Sequence, residues 1–590
     1  MPLELNILIL LAVVIFLLIG LYREIFHPSV VFLVSVSVLV VTGILTPSEA
    51  LSGFSNEQVA TIVLLLVISG IMEKMGAISY FFSGIFKDVV GYKQFMARMF
   101  ISVSSLSAFI NNTPIVALLM PYVYQWAKKN NISPSKLLIP LSYAAILGGT
   151  ITLVGTSTNL LINGFVIDSG FEPLGIFDFA YVGIPATIAG FVYMLFIGNK
   201  LLPERKDVLE AFLENKKEYM VETYLNKNSP LIGKSVKEAG LRKLKGLFLA
   251  EIIREKKRIS PVKPEEILEE GDILIFVGQT ESITELLTSQ KGLSLPDVCL
   301  IDNGNRIEIV EVVIPVNSYL INKKIRETDF RGKYDAAILA VHRNGEKLRG
   351  KIGEIKLKAG DLLLLITGKD FWKRAEDTTD FYIISKIHEI TQVDRKKILL
   401  ILSGFLGVLL LSALKIISVF VGFLFLLALI LLSKSVPYSE VKRRIDLNLV
   451  IIAALSLAIG KAVYKTGTAE IVADVVISIF SPFGILGALI GVYLITNILT
   501  EFVTNIAAAS VTFPIAVSVA NTLSVDPLPF ILAVAYGASA SFITPIGYQT
   551  NLIVYGAGGY RFKDFLKVGF PMSILYAIIC ISILYFWRLS

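Results

Sequence analysis

The chain has 590 residues, of which 54% are hydrophobic and 17% charged, and its mean hydropathy is +0.70. This balance excludes a soluble enzyme, and a net charge of +7 needs no nucleic acid to explain it, because lysine and arginine at membrane edges suffice. Two separated cysteines, Cys299 and Cys580, and three scattered histidines, His27, His342 and His388, give neither a disulfide framework nor a histidine-based zinc or catalytic centre.

Residues 7–21 and 30–45 are nearly free of charge, and a helix needs about 17–25 residues to cross a bilayer core. With no basic n-region and no cleavage site, 7–21 reads as a retained first helix, not a signal peptide. The apolar pattern then breaks at Phe109-Ile110-Asn111-Asn112-Thr113-Pro114, and again at Gly155-Thr156-Ser157-Thr158-Asn159-Leu160. It closes on Asp178-Phe179-Ala180-Tyr181-Val182-Gly183-Ile184-Pro185.

Near Glu204 the composition changes. From there to about Arg395 roughly a third of residues are charged, against roughly a tenth outside, so a soluble insert separates two membrane halves. The insert repeats itself. Asn228-Ser229-Pro230-Leu231-Ile232-Gly233-Lys234 recurs as Asn317-Ser318-Tyr319-Leu320-Ile321-Asn322-Lys323, and Gly271-Asp272 recurs as Gly360-Asp361, both about 90 residues on. Strand-like runs at 246–253, 273–277, 336–341 and 362–367 alternate with turns and charged helical stretches, and the two Gly-Asp pairs read as turns before strands. Each unit, over about 224–287 and 308–376, resembles the RCK-C (TrkA C-terminal type) regulatory domain. No strand leads into Gly-x-Gly-x-x-Gly, so its usual nucleotide-binding companion is absent.

Residues 398–414 and 416–432 are again apolar, and the second half then repeats the first. Phe502-Val503-Thr504-Asn505-Ile506-Ala507 matches the first break. Gly547-Tyr548-Gln549-Thr550-Asn551-Leu552 matches the second, and Asp564-Phe565-Leu566-Lys567-Val568-Gly569-Phe570-Pro571 matches the close. Duplicated apolar halves broken twice by polar, Gly- and Pro-bearing segments are the mark of a secondary transporter. The fold class expected is an all-α polytopic membrane protein of inverted repeats, about five spans and one re-entrant hairpin per half, with inserted α+β soluble domains. The expected divisions are 1–203, 204–300, 301–395 and 396–590.

Orientation follows from the basic residues Arg23, Lys74, Lys87, Lys93, Arg98, Lys128, Lys129, Lys200, Arg205, Lys206, Arg395–Lys397, Lys442–Arg444 and Arg561–Lys567. Most fall on one side if both termini are outside the cell membrane and the insert is cytoplasmic. The halves then start on opposite faces.

Backbone that leaves a helix at membrane depth must be buried in protein or line a wet cavity. Two half-helices meeting at a polar tip satisfy this. The half that begins there offers free N–H groups to an anion, and exposed oxygens suit a hard cation. The repeat supplies those oxygens twice: hydroxyls of Ser107 and Thr500, amides of Asn112 and Asn505, carbonyls near Gly155 and Ile543. Asn112 and Asn505 could merely cap helices, but two at equivalent positions favour function. Glu501 is an intramembrane carboxylate and a suspect by default; it could instead pair with Lys461 or cap a broken helix.

On these residues the membrane halves, over roughly 1–203 and 396–590, resemble the divalent anion/sodium symporter family of inverted-repeat ion transporters. That family has a Ser-Asn-Thr triplet at each tip. The matching triplets are Asn111-Asn112-Thr113 and Thr504-Asn505-Ile506, and the family's Thr-Pro is matched by Thr544-Pro545. Ile506 departs from the pattern and removes a hydroxyl. By this resemblance Na⁺ would be held by Ser107, Asn112 and Gly155 and by Thr500, Asn505 and Ile543. The anion would lie between the triplets, with Thr544 and Pro545 beside it. A homodimer and an elevator-type movement are further implications.

The expected activity is Na⁺-coupled uptake of a small divalent oxyanion such as sulfate, or of a dicarboxylate, with a regulatory insert that binds an unidentified small effector. No Arg or Lys lies in the four breaks, which suits a compact, weakly basic oxyanion. The alternatives are a ligand-gated channel, which would need a Thr-Val-Gly-Tyr-Gly filter that is absent, and arsenite efflux or Na⁺/H⁺ exchange.

Overall fold

A computed structural model of the chain describes residues 3–23, 26–76, 91–205, 220–225, 229–241, 247–254, 257–278, 309–316, 318–348, 352–368, 370–375, 378–384, 395–433 and 444–589, with a few positions between them. Cys299, Asn228, Asn317, Lys87, Lys206 and Arg443 lie outside the described residues.

The first half contains α1 (Leu3–Tyr22), α2 (Pro28–Val41), α3 (Pro47–Leu51), α4 (Glu57–Lys74), α5 (Tyr92–Ser107), α6 (Asn112–Lys129), α7 (Leu138–Gly149), α8 (Ser157–Asp168) and α9 (Ala180–Tyr193). The second contains α10 (Arg395–Ala413), α11 (Val419–Leu432), α12 (Leu447–Lys465), α13 (Thr468–Phe480), α14 (Gly484–Phe502), α15 (Asn505–Thr522), α16 (Leu528–Ser539), α17 (Gln549–Ala557) and α18 (Phe562–Arg588). Among the described residues six helices are long and apolar enough to cross a membrane.

Caps explain where several helices begin. A side-chain oxygen at the N-cap satisfies an otherwise orphaned backbone N–H. Asn56 accepts from the N–H of Gln58 at 2.9 Å ahead of α4, and Asp446 accepts from that of Asn448 at 3.0 Å ahead of α12. Asn111 opens α6 by accepting from Thr113 at 3.4 Å, and Thr504 opens α15 by accepting from Ala507 at 3.3 Å. The first residue of each tip triplet is thus an N-cap. Pro121 in α6 and Pro514 in α15 sit at matching depths.

The insert carries β1 (Met220–Leu225), β2 (Leu247–Arg254), β3 (Lys257–Ile259), β4 (Ile273–Gly278) and β5 (Leu293–Ser294), then β6 (Ile309–Val313), β7 (Ala336–Arg343), β8 (Glu346–Lys347), β9 (Leu362–Thr367) and β10 (Tyr382–Ile383). The two antiparallel sheets have one topology: β3-β2-β4-β1-β5, and β8-β7-β9-β6-β10. The register slips once in each, between Leu249 and Glu251 and between Ile338 and Ala340, at equivalent places. The Gly-Asp turns precede β4 and β9. In each, the buried aspartate grips an arginine of the neighbouring strand, Asp272 with Arg254 at 2.8 Å and Asp361 with Arg343 at 2.7 Å.

One large apolar core runs through both halves, and a smaller one joins α1 and α2 to α12 and α15. The first sheet has a core of its own. The second does too, but its Val313, Leu362 and Ile384 belong instead to the large core of the helical halves.

Candidate functional site

The four sequence breaks become four helix starts, and the two halves build them from the same hydrogen bonds. At the first tip the Ser107 hydroxyl lies between two acceptors, Asn112 Oδ1 (2.5 Å) and the Ala145 carbonyl (2.8 Å), which share its one proton. At the second the Thr500 hydroxyl donates to the Ala538 carbonyl (2.6 Å) and lies 2.9 Å from the Asn505 amide. The sequence separations, 5 and 38 residues, are identical. The second breaks agree as closely. Asn159 donates to the carbonyls of Gly149 and Thr152 (3.4 and 2.9 Å), and Asn551 to those of Ser541 and Thr544 (2.8 and 3.3 Å), ten and seven residues back in both halves.

The amide of Asn505 fits a second way. Turned over, its nitrogen faces the Thr500 hydroxyl oxygen at 2.9 Å, which then accepts, and the carbonyls of Ala538 and Gly547, both at 3.2 Å. Asn112 Nδ2 donates to the Tyr548 hydroxyl at 2.6 Å. Two consecutive residues of the second half, Gly547 and Tyr548, therefore touch both tip asparagines. Thr113 donates to Gln549 Oε1 at 3.0 Å, which ties the start of α6 to the start of α17. Tyr548 and Gln549 stand in the second break as the sequence repeat gives it, but no hydroxyl or amide at these two places recurs in the first half as a site residue.

Gly155 lies so close to the carbonyls of Gly149 and Ala108 that a Cβ would stand 2.5 and 2.9 Å from them, and at Gly547 a Cβ would meet the Thr500 carbonyl at 2.7 Å. Glycine is needed at both for contact, not for a left-handed φ. Asn111, Thr113 and Thr504 are half-buried, whereas Ser107, Asn112, Thr500, Thr544 and Pro545 are buried. The Thr544 hydroxyl is already engaged, donating to the Glu501 carbonyl (2.8 Å) and accepting from the Gly547 N–H (3.1 Å).

Glu501 is 5% exposed. Its carboxylate accepts from the backbone N–H groups of Phe542 (3.0 Å), Ile543 (2.9 Å) and Thr544 (2.8 Å), and so holds the second break of its own half in shape. Ile543 enters this arrangement through its N–H. Lys461 turns to Asp168 (3.6 Å) and the Ser52 hydroxyl (2.9 Å), so the pairing with Glu501 does not form. The first-half counterpart of Glu501 is Ala108, whose carbonyl accepts from the Thr152 hydroxyl as the Glu501 carbonyl accepts from Thr544.

A cavity of about 680 Å³ lies elsewhere, between α8, α12 and α15, with Glu49, Asp168, Lys461, Lys465 and Asn521 on its wall. Its two lysines are engaged, Lys461 as above and Lys465 by Glu49 at 2.9 Å. None of the tip residues lines it, and it lacks the twofold recurrence that marks the tips. Among the described residues no group of three or more His, Cys, Asp or Glu could hold a metal.

Each tip thus places neutral oxygens beside a helix N-terminus that has no cationic side chain, an arrangement suited to holding a hard cation and a small anion without covalent chemistry. The sequence pattern of the citrate transporter family, CitMHS, matches residues 13–535. The chain belongs to that family. It is an ion-transporter superfamily protein, as the tip triplets implied. A relative from Chlamydomonas reinhardtii, whose name refers to sulfur deprivation response, is 32% identical over 96% of this chain and 99% of its own. An uncharacterised transporter of Synechocystis is 31% identical over 96% of this chain and 94% of its own. Sodium/sulfate cotransporter 1 of C. reinhardtii is 24% identical, covering 90% of this chain and 84% of its own. Among solved structures, the RCK domain of GsuK aligns with 27% of this chain and 63% of its own at 11% identity and a TM-score of 0.14, too slight a likeness to bear on the insert.

Proposed function

We propose that this family member is a secondary transporter that carries a small divalent oxyanion, sulfate in the first instance, together with Na⁺. The observation that carries the reading is the recurrence of one hydrogen-bond frame, a Ser/Thr hydroxyl set between an Asn amide and a helix carbonyl, at identical spacing in the two halves. Ser107 and Asn112 would supply Na⁺ ligands in one frame, Thr500 and Asn505 in the other, with main-chain oxygens around Gly155 and Ile543 completing them. Asn111, Thr113, Thr504 and the N–H groups that begin α6 and α15 would hold the anion, Thr544 and Pro545 shaping its wall. Ile506 offers no hydroxyl, which favours a compact tetraoxyanion over a dicarboxylate. A named sodium/sulfate cotransporter among the relatives agrees with this choice.

Na⁺ binding organises the tips and offsets the anion's charge. The carrier then changes face when both or neither are bound, because a ligand shifts an equilibrium only by its differential affinity. The halves are read as inverted repeats, with both termini outside and 204–395 cytoplasmic as two RCK-C-like regulatory units, in a homodimer.

The test is uptake of labelled sulfate, succinate and citrate into proteoliposomes with and without a Na⁺ gradient. Na⁺-driven sulfate uptake is expected, and Asn112→Ala and Asn505→Ala should each reduce it by about tenfold or more, the equivalent of about 1.4 kcal/mol, with the elution profile of the folded protein unchanged. Uptake indifferent to Na⁺ and driven by a pH gradient would overturn the coupling ion.

A further inference from the structure

The second sheet of the insert does not hang free of the helical halves; it is seated on the candidate site. Tyr124 of α6 donates to buried Glu311 of β6 at 3.1 Å. Tyr555 of α17 donates to Asn344 at 3.1 Å, and Arg561 pairs with Glu346 at 3.1 Å. The Tyr382 phenol lies within electrostatic reach of the Glu73–Arg444 ion pair, which joins α4 to the start of the α12 segment.

Main chain meets main chain at the centre of this seam. A Cβ on Gly556 would run into the Gly360 carbonyl and stand 3.3 Å from Val313, and a Cβ on Gly345 would stand 2.6 Å from the Gly559 carbonyl. Next to it, Pro315, Val316 and Tyr382 face Thr113, Gln549, Leu552 and Ile553 across a cleft of about 30 Å³. About 10–15 Å³ of such space holds one water molecule, so the cleft is narrow. Thr113 and Gln549 are the pair that ties α6 to α17 at the tip.

We propose that the second insert unit is an intramolecular brake: seated as it is, it closes the insert-side approach to the tips and holds α6 and α17 together, and solute moves quickly only when it lifts. This rests on the transport reading above. It assigns the insert a direction of action, inhibition by docking, through a named seam.

Gly556→Ala tests it. The substitution favours the helix, since alanine propagates α-helix better than glycine, but it drives a methyl group into the Gly360 carbonyl. Val316→Asp attacks the same seam from the insert and serves if the first variant does not fold. Both are made in full-length protein carrying Cys299→Ser, Cys580→Ser and Leu552→Cys, where the single introduced thiol reports the seam through its rate of labelling by a water-soluble maleimide. The parent should label slowly. Either variant should label at least about fivefold faster and take up sulfate at least about fivefold faster under the same Na⁺ gradient, the lower edge of a typical coupling between sites. Faster labelling with unchanged, measurable uptake overturns the brake and leaves the transport reading standing. Unchanged labelling overturns the seam. No uptake of any of the three anions by parent and variants alike overturns the transport reading beneath it.

Discussion

At the scale of single residues, Glu501 shows how much one side chain can fix. Three consecutive backbone N–H groups beyond the end of α16 end on its carboxylate. Buried donors left without acceptors cost about 1–3 kcal/mol each. Glu501→Ala should therefore lower stability by at least about 3 kcal/mol and abolish uptake, while Glu501→Gln, which keeps one acceptor oxygen, should lose less. Thermal unfolding in detergent measures the first effect and proteoliposome uptake the second. Retention of full stability by the alanine variant would show that the break is held from elsewhere. The carboxylate was visible in the sequence as a suspect, but not its partners. A residue 40 positions away in the chain carries no signal of contact unless a repeat supplies one, and the first half has Ala108 at this place.

At the scale of elements, sequence periodicity predicts strands at 246–253, 273–277, 336–341 and 362–367, and the strands formed are Leu247–Arg254, Ile273–Gly278, Ala336–Arg343 and Leu362–Thr367. The agreement has a physical source. Each strand is a short, mostly apolar run, and Gly278, Gly345 and Gly368 mark the ends of three of them. The sheet order was not legible, because neighbours such as β1 and β4 are brought together by packing and not by any local signal.

His342 in β7 makes the second sheet sensitive to pH. Burial, with Lys347 adding to it, holds its imidazole down at about 4. An unfolded histidine titrates near about 6.5. Because the folded value is the lower one, the unfolded chain binds the proton first; the contribution to stability is complete above about pH 6.5 and fades as pH falls toward 4. Amide hydrogen exchange in β7 and β9 should thus be faster at pH 5 than at pH 7 after correction for intrinsic rates, and His342→Phe should flatten the difference. An unchanged pH dependence in that variant would assign the effect to other groups.

At the scale of the whole molecule, a duplicated membrane frame surrounds a duplicated soluble one. The repeats in both were readable from composition shifts and recurring phrases. What no phrase announced is that the second soluble unit shares a core with the helices. Val313 and Leu362 would read as strand interior whether they packed inward or against α17. Their docking changes the expectation for a chain lacking residues 222–376 and rejoined by a short linker. It should keep Na⁺-driven uptake, now faster than in the full chain, yet aggregate more readily in detergent because the surface around Leu552 and Gly556 is bared. Initial rates normalised to inserted protein, with size-exclusion profiles alongside, decide it. A deletion that never folds would make the unit a structural part of the helical core and not a controller.

The glycines at 345, 360 and 556 let two polypeptide backbones lie almost in touch. A joint of that kind has little to lose by erosion, since the atoms in contact are common to every residue. It can be spoiled only by addition. Descendants of this chain could rewrite much of the surrounding surface and keep the fit, whereas one carbon atom at 345 or 556 would pry it open. Among relatives that retain both soluble units, the absence of side chains at those two places, more than the presence of any particular one elsewhere, would tell which still answer to the unit beneath.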